Sequence, residues 1–143
     1  MEIKNKIFFL LIVVVLVASM TLWPNEIKED VISTETQKEQ IIIPEVLKKI
    51  AWCESKNRQF NEDGSIHRGE INPKDIGKYQ INEYWNGEEA LSLGFDIYTL
   101  EGNTKMALHL YSKKGSQPWN WSSGCWNNPN RVWIEKDGEY FSK

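Results

Sequence analysis

Apolar and polar positions change their rhythm several times along the chain. Ile7 to Val17 is uninterrupted apolar sequence behind Lys4 and Lys6, and it continues less purely through Ala18 to Trp23. A basic start followed by an apolar stretch reads as an export signal. Val17 and Ser19 offer a cleavage site of imperfect type. Without a clean Ala-x-Ala, an uncleaved anchor is slightly favoured, with the basic flank inside and the rest facing outward. Residues 24–40 are polar and charged, a composition that reads as a tether. Ile41-Ile42-Ile43 opens the packed region, and Pro44 suits the first position of a helix. Leu47, Ile50, Ala51 and Glu54 then recur at helical spacing on one stripe, with Lys48 and Lys49 opposite. Asn61 to Ser65 is a turn signal beside a small hairpin. A short helix over 88–93 ends at Gly94, and a longer one over about 100–113 ends at Gly115. The inner stripe of the longer helix is Leu100, Asn103, Ala107, Leu110 and Tyr111. A last hairpin turns at Asp137-Gly138 within 131–141. These elements predict an α+β fold, mainly α, with a small β-region.

The length of 143 residues leaves room for one domain with a modest core. Net charge is -3, so no basic field points to nucleic acid. Seven tryptophans either fill the core or offer flat faces to sugar rings. Cys53 and Cys125 are the only cysteines. Export makes a disulfide between them chemically reasonable. The alternative is a nucleophilic Cys53 with His109 as base.

Glu54 falls where the stripe calls for an apolar residue. Partial burial there raises a carboxyl pKa and keeps the group protonated, the state a general acid needs. The competing reading is a Glu paired with a nearby cation or set at the solvated rim. Gln59, Asn61, Asp63 and Glu70 fall at several positions of a calcium loop. The first of these is Gln rather than Asp, and Pro73 follows where a helix is required. The segment therefore reads as a hairpin, and no metal or cofactor is expected.

Ile50-Ala51-Trp52-Cys53-Glu54-Ser55 resembles the catalytic segment of resuscitation-promoting factors and, more loosely, of lytic transglycosylases. In those families the Glu is the catalytic acid. In resuscitation-promoting factors the Cys before it pairs with one just after a Trp-rich segment. Pro118 to Trp126, holding Trp119, Trp121 and Cys125, occupies that place. Asp75-Ile76-Gly77-Lys78-Tyr79-Gln80-Ile81-Asn82 is similar to the Asp-x-Gly-x-x-Gln-Ile-Asn run of animal-type lysozymes. The resemblance covers about 43–126 and implies a lysozyme-like domain over 41–126, with 127–143 as an extension.

The same resemblance implies that Glu54 is catalytic and that Asp75 is the candidate second carboxylate. Asp75 alternatively only orders the turn before Gly77. Ser55, Tyr79, Gln80, Asn82, Asn103 and Trp119 are the expected substrate contacts. Gln80 and Asn82 carry paired donors and acceptors suited to sugar hydroxyls and N-acetyl groups. Asn103 serves equally well as a core Asn bonded to backbone. The implied partner is the glycan strand of peptidoglycan, cleaved outside the cytoplasm by a monomer, with the membrane met only through the N-terminal segment. A transglycosylase works with Glu54 alone; a lysozyme-type hydrolase adds Asp75. A non-catalytic glycan-binding module is the reading of another class.

Overall fold

The structure, a computed structural model, describes residues 41–142. The apolar run at 7–23 and the polar stretch at 24–40 lie outside the described residues. The described residues fold as α+β and mainly α, with four α-helices and two small antiparallel sheets among them. No helix among the described residues is long and apolar enough to cross a membrane.

Helix α1 (Glu45–Ser55) follows Pro44, which stands at the N-cap rather than inside the helix. Its stripe of Leu47, Ile50 and Ala51 is fully buried. The helix stops abruptly because Lys56 and Asn57 both adopt left-handed backbone angles, φ 58° and 63°. Their amides bond back to the carbonyls of Trp52 and Ala51, satisfying acceptors that the helix end leaves open.

Two isolated bridges, Phe60 with Ile66 and Arg68 with Ile76, lead into strands β1 (Asp75–Ile76) and β2 (Ile81–Asn82). The strands pair antiparallel with Asp75 opposite Asn82 and Ile76 opposite Ile81. The chain reverses over 77–80, where Gly77 has φ 69° and Gln80 φ 49°. A side chain at Gly77 would collide with the Gln59 amide, whose Oε1 would lie 2.3 Å from the new Cβ. Gln59 is itself buried, donating to the Ile97 carbonyl and accepting from the Lys78 amide. It is a bracket of the core rather than the head of a cation loop.

Helix α2 (Glu83–Ser92) starts five residues before the expected 88, because Asn82 caps it by accepting from the amides of Tyr84 and Trp85. Helix α3 (Leu100–Lys114) is capped by Thr99. Its buried face is Asn103, Met106, Ala107 and Leu110 with Gly102 and Thr104, while Leu100 is half exposed. The inner stripe therefore lies somewhat around the helix from the expected one. Gly102 sits so close to the Asp96 backbone that a Cβ would meet its oxygen at 2.0 Å.

A 3-10 helix (Gln117–Ser122) and the short α4 (Ser123–Trp126) return to α1. The Cys53–Cys125 disulfide ties them to it, with Cα atoms 5.9 Å apart. Strands β3 (Trp133–Lys136) and β4 (Glu139–Ser142) form a hairpin through Asp137 and Gly138, both with positive φ. A two-residue loop of this kind suits the twist of paired strands. The hairpin packs on α1 through Trp52 against Phe141, a Lys48–Glu135 ion pair and the Asn57 side-chain amide on the Tyr140 carbonyl. Residues 127–142 thus belong to the same compact unit as the rest of the described chain.

Candidate active site

A cleft of about 850 Å³ runs between the end of α1, the β1–β2 hairpin, the start of α2 and the tryptophan-rich segment. Glu54, Asp75, Gln80 and Asn82 line it, together with Trp85 and Trp121. Glu54 reaches the cleft because it continues the buried stripe of α1 at the helix's last turn. Burial is the main influence on its carboxyl and pushes the pKa up. The Ser122 hydroxyl donates to Glu54 Oε1 and pulls the pKa down, while the negative charge of Asp75 pushes it up again. No lysine or arginine pairs with Glu54 among the described residues. The paired-Glu alternative is therefore absent.

Asp75 is held by the strand register. Residues directly opposite in an antiparallel pair share a face. Asn82 accordingly donates from Nδ2 to Asp75 Oδ1 at 2.6 Å, and Asn72 donates to the same oxygen at 3.2 Å. Asn82 also caps α2 with its Oδ1, so both ends of its amide are engaged within the protein. Gln80 donates from Nε2 to the Gly77 carbonyl at 2.8 Å, and its Oε1 carries no protein hydrogen bond among the described residues.

Four other expected substrate contacts have a different job. The turn 77–80 sits in the core, and its backbone groups need partners there. The Ser55 hydroxyl donates to the Lys78 carbonyl at 2.7 Å, and the Tyr79 amide donates to Asn103 Oδ1 at 3.0 Å. Trp119 Nε1 donates to the Tyr79 carbonyl at 2.9 Å. Asn103 Nδ2 meanwhile donates to the carbonyls of Ile76 and Ile97. Asn103 and Tyr79 are fully buried and lie off the cleft wall. Ser55 and Trp119 border the cleft, but their polar groups are spent on this clasp. For Asn103 the core reading is the one the geometry carries. Ser55, Asn103 and Trp119 hold the turn that presents Asp75, Gln80 and Asn82, and Tyr79 is the turn residue they bind through its backbone.

The disulfide removes the nucleophilic reading of Cys53, since neither cysteine is free. His109 pairs with Glu89 instead, 3.0 Å away and off the cleft wall.

Two kinds of residue escaped the sequence. Trp121 and Trp85 are 102% and 78% exposed on the cleft, whereas Trp119, the tryptophan singled out, is 4% exposed. Trp119 on the 3-10 helix and Trp126 on α4 both turn into the core while Trp121 turns out, a division that no spacing in the sequence marks. Ser122 carried no motif of its own. Only the Cys53–Cys125 bond, which places 122 beside 54, marks it. No family model, curated protein or solved structure matches this chain.

Proposed function

We propose that the chain is a peptidoglycan-cleaving glycosidase acting on the β-1,4 bond between N-acetylmuramic acid and N-acetylglucosamine, transglycosylase-like, with Glu54 as general acid and then base. The observation that carries this reading is Glu54 itself. It is a carboxyl at a helix end with no cationic partner among the described residues, largely desolvated on the wall of a cleft that also carries two exposed indoles. Burial favours the protonated form, so the group can give its proton to the glycosidic oxygen as the C1–O bond breaks. The carboxylate left behind then takes the proton of the muramyl 6-hydroxyl. The O6–C1 bond closes an anhydro ring, and Glu54 is protonated again. The disulfide accords with an extracytoplasmic setting.

A second reading, lysozyme-type hydrolysis, is favoured by one observation. Asp75 lines the same cleft, and two amide donors hold its carboxylate in a fixed orientation. From there it can stabilise positive charge at the anomeric carbon while water replaces O6.

Mass spectrometry of the fragments released from purified peptidoglycan by the full chain and by Glu54→Gln tests both readings. Anhydromuramyl ends that disappear in the variant support transglycosylation. Reducing ends that disappear in it support hydrolysis, and Asp75→Asn is then expected to lose activity as well. Binding without release of fragments from well-folded protein overturns both in favour of a glycan-binding module.

A further inference from the structure

The cleft does not end at the carboxylates. Beyond the turn that closes α1, Arg58 lies on the wall of the cleft and also on the wall of a second hollow, of about 670 Å³, formed with Phe60, Asn61, Glu62 and Asp63. The chemistry of this hollow is unlike that of the cleft. Arg58 Nε donates to the Ser55 carbonyl at 2.9 Å, and that bond fixes the guanidinium against the helix end. Its Nη atoms carry no hydrogen bond or ion pair among the described residues. Phe60 is 47% exposed although its backbone is pinned by the bridge to Ile66. The loop at 61–65 is stiffened by the Asn61 amide on Ser65 Oγ and by Asp63 Oδ1 accepting from the Ser65 amide and hydroxyl. Glu62 makes no ion pair among the described residues. One apolar ring, one fixed cation and two carboxylates thus stand side by side on a braced loop.

Resting on the glycosidase reading, we propose that this hollow holds the peptide stem that branches from the lactyl group of the muramyl sugar, with Arg58 as the specificity-determining contact. Such a stem is short and of mixed charge. Its carboxylates suit a guanidinium with open Nη donors, the amine of its basic residue suits Glu62 and Asp63, and its alanine methyls suit the face of Phe60. A glycan stripped of its stems keeps only a lactyl carboxylate and carries neither the amine nor the alanine methyls, so a hollow that only extended the glycan track would gain nothing from two acids and an exposed ring. Arg58 and Glu54 line the same cleft, so a muramyl ring bound at Glu54 can carry its stem towards Arg58. The enzyme would then read the stem and the sugar together.

The test compares the full chain, Arg58→Gln and Glu62→Gln on two substrates: intact peptidoglycan, and the same material with its stems removed by an amidase. A parallel arm measures binding of a soluble muramyl tetrapeptide by tryptophan fluorescence, which needs no turnover. The expected result is at least 5-fold faster cleavage of stem-bearing glycan by the unmutated chain. Both variants should lose that ratio through KM, and both should bind the muramyl tetrapeptide at least 5-fold more weakly. Glu62 makes no hydrogen bond or ion pair with its side chain among the described residues, so its variant keeps the test clear of misfolding. Equal rates on both substrates, or binding unchanged in both variants, overturns the proposal. If the unmutated chain binds the tetrapeptide in an Arg58-dependent way but cleaves neither substrate, the glycosidase reading fails and the stem site stands.

Discussion

At the scale of single residues, the balance of influences on Glu54 sets which protonation state it favours. Burial and the charge of Asp75 raise its pKa, and the Ser122 hydroxyl opposes them by bonding to the carboxylate. A carboxyl with a raised folded pKa supports the fold fully below its unfolded value, near 4.5. That support is lost as pH rises through the folded pKa, because a buried charge must then be carried. Glu54→Gln is therefore expected to raise Tm at pH 7 and to leave it unchanged well below pH 4.5, while cutting turnover by about 100-fold or more. Thermal melts at the two pH values check this; a variant less stable at pH 7 would contradict the desolvated placement. Ser122→Ala acts in the opposite sense on the same group. It removes the bond that favours the ionised form, so the alkaline limb of the pH–rate profile should move to higher pH. An unmoved limb would mean that Ser122 does not tune the acid.

At the scale of elements, the β1–β2 turn shows how motif residues can be recognised for the wrong reason. Asn103 Oδ1 accepts from the Tyr79 amide, and its Nδ2 donates to the carbonyls of Ile76 and Ile97. The Ile97 carbonyl keeps a second donor in Gln59 and Ile76 stays paired with Ile81 in the ladder, so Asn103→Ala strands the Tyr79 amide in the core. Leaving that one buried donor unsatisfied should cost about 1–3 kcal/mol of stability. Chemical denaturation measures it; unchanged stability with a raised KM would restore Asn103 as a substrate contact. The helices were legible because periodicity records burial directly: Leu47, Ile50 and Ala51 read as a core stripe and are one. Glu54 was legible as the exception on that stripe. Ser55, Tyr79, Asn103 and Trp119 were named as substrate contacts, but a sequence does not distinguish a polar group facing a ligand from one facing a buried carbonyl. The start of α2 was missed because Asn82 does two things at once, capping a helix and orienting Asp75 from the opposite strand.

At the scale of the molecule, the site is assembled from segments far apart in the chain, and one bond joins its two halves. Cys53 precedes Glu54, and Cys125 follows the stretch that carries Trp119, Trp121 and Ser122. The 72-residue separation means that the disulfide closes nearly the whole β-region, α2 and α3 into one loop. In the chain-entropy account a loop of that length contributes about 4 kcal/mol, which is a large share of the 5–15 kcal/mol typical of a domain. Other contacts span the same seam: Trp119 Nε1 on the Tyr79 carbonyl, and Ser122 on Glu54. Hydrogen bonds of that kind contribute about 1 kcal/mol each and cannot replace the bond. The Cys53→Ala/Cys125→Ala double variant should thus unfold at markedly lower denaturant concentration. At temperatures where it remains folded, it should also lose activity beyond the unfolded fraction, because the Trp119–Trp126 segment is then free to move away from Glu54. A variant that melted earlier yet kept full specific activity while folded would show that the hydrogen bonds alone hold Ser122 and the indole wall in place.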